Sequence, residues 1–126
     1  MAEGRFCQEF GNAFKEKRQR AGKTLREFAR EHGFDHGNLS KIERGRGRPP
    51  TGRTLDRYLD ALGIERESDE WYELHDLACA CAGEVPDKIM NDEEVVRKLP
   101  VVFRTLARRR PTQEDLEELV KIIRES

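Results

Sequence analysis

Apolar positions along this chain recur at helical spacing almost throughout, and strand-like alternation never persists for more than a few residues. The pattern predicts a first helix from about Phe6 to Arg20, with Phe6, Phe10, Ala13 and Phe14 on its apolar face and Gly22 at its end. A second begins at Thr24, where "TLRE" forms a capping box, and carries Leu25, Phe28, Ala29 and His32 to a stop at Gly33. Asp35 caps a third, which buries Leu39 and Ile42 and ends at Gly45. The fourth runs from about Thr51 to Leu62, with Leu55, Tyr58, Leu59 and Leu62 on one face and Gly63 closing it. Ser68 caps a fifth, "DEWYELHDLACACAG", whose first turn is acidic, as the helix dipole favours. There Trp71, Leu74, Leu77, Ala78 and Cys81 point one way.

"GEVPD" breaks the pattern. Asn91 or Asp92 then opens a helix through Leu99, and Pro100 is expected to restart the chain into "VVFRTLARRR". Pro111 and Thr112 open a last helix striped by Leu116, Leu119, Val120 and Ile123. The expectation is an all-α chain with two parts: a domain over residues 1–83 and a helical extension over 84–126.

Charge sharpens that division. The 126 residues carry a net charge of −1, which argues against a polyanionic partner until it is divided. Residues 1–66 hold 15 Lys/Arg against 10 Asp/Glu, a balance of +5, and residues 67–126 hold 9 against 15, a balance of −6. A basic half suits nucleic acid, and an acidic half is repelled by it, which helps to fix one orientation. No apolar run is long enough to span a membrane, and "MAEGRFCQEF" does not read as a secretory signal. Three cysteines with no framework spacing suggest a reducing, cytoplasmic setting.

The second and third helices are separated only by the turn "GFD", the spacing of a helix-turn-helix, in which one helix face can enter a DNA major groove. Residues 10–64 resemble the Cro/repressor-type (Xre) helix-turn-helix transcriptional regulators, through "FGNAFKEKRQRAG", "TLREFAREHGF", "NLSKIERG" and "TLDRYLDALGI". The resemblance implies a five-helix, lambda-repressor-like DNA-binding domain. It implies a protein that is usually dimeric and most often a repressor, here reading a pseudo-palindromic operator. It covers under half of the chain and leaves the C-terminal extension unassigned.

On an ideal helix, Leu39 and Ile42 define the buried side of the third helix, and Gly37, Lys41 and Arg44 lie nearly opposite. The resemblance puts base-reading side chains at the positions of His36, Gly37 and Lys41. Lys41 can donate to guanine, and His36 can donate or accept according to tautomer. Gly37 departs from the longer polar residue common in the family. Either it lets the helix sit deeper in the groove or it is drift near the cap, where glycine is cheap. Phosphate contacts are expected from Arg18, Lys23, Thr24, Arg26, Asn38, Ser40, Arg44, Arg46 and Arg48. Glu43 reads as structural, paired with a nearby cation. "RGRGRPP" contains "RGRP", which resembles an AT-hook core, but reads better as a loop whose Arg46 and Arg48 touch the DNA backbone.

His75, Cys79 and Cys81 form H-x3-C-x-C, yet Cys81 lies some 200° round the helix from Cys79, and a closed zinc site needs four ligands. Small buried residues explain the set better, so no metal and no cofactor are expected. No catalytic set stands out, and the chain does not read as an enzyme. A single helix-turn-helix buries too little surface for tight specific binding, so a homodimer is expected. The stripe Leu116, Leu119, Val120 and Ile123 can serve that dimer, pack within the chain, or meet a different protein. In the last case the chain is an antitoxin-like or peptidase-paired regulator. "LPVVFRTLARRRPTQEDLEELVKII" loosely resembles tails of regulators paired with zinc metallopeptidases.

Overall fold

A computed structural model describes residues 2–125, with side chains from residue 4 onward. Eight helices and no strands occur among them, so the all-α expectation holds. They are α1 (Ala2–Arg20), α2 (Leu25–His32), α3 (His36–Glu43), α4 (Gly52–Ala61), α5 (Asp69–Ala82), α6 (Asp87–Met90), α7 (Glu93–Arg109) and α8 (Gln113–Glu125). The chain falls into two compact units, Met1–Asp87 and Lys88–Ser126.

Local chemistry sets the boundaries in the first unit. Thr24 accepts a hydrogen bond from the Glu27 amide at 3.1 Å and donates to the Glu27 carboxylate at 3.0 Å, a variant of the anticipated capping box. Ser68 accepts from the Trp71 amide and starts α5. The end of α3 is closed by Gly45 at φ +73°, where the Arg46 amide returns to the Lys41 carbonyl at 2.9 Å and the Gly45 amide to Ile42 at 3.0 Å. That Schellman arrangement needs the left-handed conformation that glycine supplies without a Cβ penalty.

The core of this unit joins five helices. Phe10 and Phe14 of α1, Phe28 of α2, Leu39 and Ile42 of α3, Leu55 and Leu59 of α4, and Leu74 of α5 are all buried to 1% exposure or less. Each such side chain contributes about 1.5–3 kcal/mol relative to exposure. Phe14 sits at the centre, edge-on to Phe28 at 5.8 Å and beside Phe10 at 6.0 Å. Between α4 and α5, Asp56 Oδ1 accepts from Trp71 Nε1 at 3.0 Å and lies 2.8 Å from His75 Nε2.

Two sequence expectations need correction. Pro100 does not restart the chain, because α7 runs through it from Glu93 to Arg109. Val95, Leu99, Val102 and Leu106 keep a 4–3–4 spacing across the proline, so continuing the helix keeps one apolar stripe intact at the cost of one backbone bond. The cysteines are not all unpaired. Cys7 and Cys81 are disulfide-bonded between α1 and α5, with Cα atoms 4.8 Å apart, and Cys79 is the free, buried thiol.

In the second unit, Asp92 caps α7 by accepting from the Glu94 and Val95 amides. Thr112 and Asp115 cap α8 reciprocally, through bonds of 3.1 and 3.0 Å. Neither α7 nor α8 buries a residue. No described helix is long and apolar enough to cross a membrane.

Candidate nucleic-acid interface

Helix α3 is anchored before it is displayed. Asp35 caps it by accepting from the Gly37 amide at 3.2 Å. Leu39 and Ile42 fix its inner side in the core at 1% exposure each. Its C-terminal end is held by a buried ion pair. Arg18 Nε donates to Glu43 Oε2 at 2.8 Å and Arg18 Nη2 to Glu43 Oε1 at 2.9 Å. The remaining nitrogen, Nη1, donates to the Lys23 carbonyl at 2.8 Å. One guanidinium thus ties the end of α1, the chain leading into α2, and the last residue of α3. The hydrogen bond from Arg18 to the Glu43 carboxylate raises the Arg18 pKa above its ordinary value.

Backbone approach sets the same junction. A Cβ on Gly11 would stand 2.5 Å from the Ile42 carbonyl oxygen and 2.6 Å from that of Glu43. Only glycine lets α1 come this close to α3.

The clamp corrects one expected phosphate contact. Arg18 is 7% exposed and fully engaged with Glu43 and Lys23, so it orients α3 and is not presented to a ligand. Its partner Glu43 is 7% exposed, the counterpart of the cation the sequence left unnamed.

The other expected residues are placed as follows. His36, Gly37, Asn38 and Lys41 are exposed on the outer side of α3, with Ser40 half-buried on its shoulder. A Cβ on Gly37 would meet nothing nearer than Asp35 Oδ1 at 3.8 Å, so no packing inside the protein requires glycine there. Arg44 is exposed, with Nε 3.3 Å from the Ser40 carbonyl. Arg46 and Arg48 are exposed on the irregular segment between α3 and α4, while Pro49 is buried and anchors it. Arg26 is exposed in the first turn of α2 beside Thr24. Lys23 is half-buried and already bonded to Glu31 at 2.6 Å, which holds the Glu31 carboxyl below its ordinary pKa. The structure therefore brings together on α3 and the following loop a cationic, polar, outward surface of His36, Asn38, Lys41, Arg44, Arg46 and Arg48.

The H-x3-C-x-C set is dispersed. His75 faces Asp56, Cys81 is bonded to Cys7, and Cys79 is buried, its thiol pushed up first by burial and then by Glu84, Asp87 and Asp76. No three His, Cys, Asp or Glu side chains among the described residues converge as a metal site.

Sequence reasoning missed the Arg18–Glu43 geometry and the Cys7–Cys81 bond. Both had signals. Gly11 interrupts an otherwise strong helix former, the usual mark of close backbone approach. Cys7 shares the α1 stripe with Phe10 and Phe14, as Cys81 shares the α5 stripe with Leu74 and Ala78.

A family model described as a helix-turn-helix domain matches residues 9–71, half of the chain, and the chain belongs to that family. The match is consistent with the Cro/repressor-type resemblance and spans α2, the turn, α3 and α4. Comparison with curated proteins gives no match, and comparison with solved structures gives none either.

Proposed function

We propose that this chain is a sequence-specific, double-stranded DNA-binding transcriptional regulator, a dimeric repressor reading a pseudo-palindromic operator. The observation that carries the reading is the two-sidedness of α3. Its inner side is locked by Leu39, Ile42 and the Arg18–Glu43 clamp, and its outer side offers His36, Gly37 and Lys41 to solvent. A rigidly held helix with a polar outer face can enter a major groove and present Lys41 to guanine O6 or N7. Thr24, Arg26, Asn38, Ser40, Arg44, Arg46 and Arg48, with Lys23 once released from Glu31, supply phosphate contacts and fix register. Arg46 and Arg48 lie on a loop anchored by Pro49, which suits backbone contact. The N-terminal unit binds DNA, and the C-terminal unit provides assembly.

Selection of bound DNA from a random duplex pool, followed by footprinting on the chain's own promoter, tests the reading. Enrichment of a two-fold-related site supports it, and a pool that stays random refutes it.

The bare apolar faces of α7 and α8 also suit the alternative, a tail that binds a toxin or a zinc metallopeptidase. A gene for either beside this one would favour that reading.

A further inference from the structure

The large exposed apolar side chains among the described residues lie on α6, α7 and α8. Those of α7 and α8 are Val95, Val101, Val102, Phe103 and Leu106, and Leu116, Leu119, Val120, Ile122 and Ile123, each between 40% and 66% exposed. The two helices do not cover one another's faces in the single chain. An open pocket of about 520 Å³ lies against α8, lined by Leu116, Glu117, Val120, Lys121 and Arg124 among others. Val95, Val102 and Leu106 on one face of α7, and Leu116, Leu119, Val120 and Ile123 on one face of α8, each stay at least 40% exposed, and apolar faces left this open mark interaction sites.

Charge selects what covers them. Over Glu93–Arg109, α7 has five cations (Arg97, Lys98, Arg104, Arg108, Arg109) and two anions (Glu93, Glu94), a balance of +3. Over Gln113–Glu125, α8 has five anions (Glu114, Asp115, Glu117, Glu118, Glu125) and two cations (Lys121, Arg124), a balance of −3. Laid antiparallel, α7 and α8 set Arg108 and Arg109 beside Glu114 and Asp115, and Glu93 and Glu94 beside Lys121 and Arg124, whereas α7 against α7 gathers Arg97, Lys98 and Arg104 at its middle. Since a single chain leaves both faces bare, a second copy related by a two-fold axis satisfies both at once, its α8 on this α7 and its α7 on this α8.

We infer that the occupant of this surface is a second copy of the chain, joined through a reciprocal α7–α8 four-helix bundle. The inference rests on the dimeric reading above and names its contact. Lys98 and Arg109 border the α7 stripe at 100° per residue, where they can meet the acidic side of the partner's α8.

The test uses the full-length chain without DNA, by sedimentation equilibrium. Wild type should be a dimer at micromolar concentration. Leu116→Glu and Ile123→Glu should each weaken association at least about 30-fold, the size of an interface hot spot. Both residues are exposed on α8, and circular dichroism should show the helices of the N-terminal unit unchanged. The charge arm is sharper. Lys98→Glu with Arg109→Glu turns the α7 balance to −1, and Glu117→Lys with Glu118→Lys turns that of α8 to +1, counted from the balances above. Each double variant alone should associate more weakly than wild type, and an equimolar mixture should recover a heterodimer. A monomeric wild type, a dimer indifferent to Leu116→Glu and Ile123→Glu, or charge variants that do not rescue one another would overturn the inference. Binding of the weakened variants to a single half-site is measured separately. Its persistence shows that the DNA reading stands whatever the fate of the bundle.

Discussion

Phe14 in the first unit is 0% exposed and Leu116 in the second is 45% exposed, although each sits in a helical stripe of similar regularity. The first stripe joins a core drawn from four other helices of its own unit, and no residue of α8 is buried. Amphipathic spacing says that a helix face wants cover; it does not say who supplies it. The N-terminal unit solves the problem internally and keeps a polar, cationic outer surface on α3 and the loop after it. The C-terminal unit leaves apolar side chains of α7 and α8 exposed, which a self-sufficient domain does not.

The contrast can be broken most severely at the clamp. Arg18→Ala leaves the buried Glu43 without its partner, and should cost about 3–5 kcal/mol in urea unfolding. An Arg18→Met, Glu43→Leu double variant should regain much of that loss. If Arg18→Ala unfolds like wild type, the pair does not organise the N-terminal unit. Gly11→Ala should cost about 3 kcal/mol by forcing α1 away from the Ile42 and Glu43 carbonyls. A variant of unchanged stability would mean that the close approach is not real.

The outward surface gives a smaller, different signature. Arg46→Ala with Arg48→Ala should leave folding intact, weaken specific and nonspecific DNA alike, and flatten the salt dependence by roughly two charges' worth. Loss of a preference for A·T-rich flanks would instead assign the loop to the minor groove.

The smallest effect belongs to the exposed ion pairs. Glu70 takes a bond from Arg20 at 2.8 Å, which holds its carboxyl below the ordinary range, with Lys17 adding to the shift. A depressed carboxylate contributes stability above its ordinary pKa and loses it as pH falls through the folded value. The melting-temperature gap between wild type and Glu70→Gln should therefore be slight at neutral pH, because exposed pairs contribute little, and should close in acid. A gap that widens in acid would reverse the assignment.

Much of this was legible in the sequence. The five N-terminal helices announce themselves through caps: Thr24 and Glu27, Asp35, Ser68, and glycines past the helix ends. Lys41 and His36 could be placed outward because Leu39 and Ile42 fix the opposite side. Arg18 could not be removed from the cationic set in the same way, since a buried and a solvated arginine look alike until the 25-residue return to Glu43 is known. The Cys7–Cys81 bond spans 74 residues, so its signal lay in the place of each cysteine on a core-facing stripe and not in local spacing. Pro100 misled because proline's local cost speaks for a break, while the stripe across it speaks for continuity, and the stripe prevails.

The central claim is that the outer side of α3 reads DNA sequence. The most direct measurement is the ratio of operator to random-duplex affinity, for wild type and for Lys41→Ala at one salt concentration. Losing one base contact should cost about 1–3 kcal/mol on the operator and leave random DNA untouched, so the ratio collapses. Equal losses on both DNAs, or no loss on either, would contradict the account.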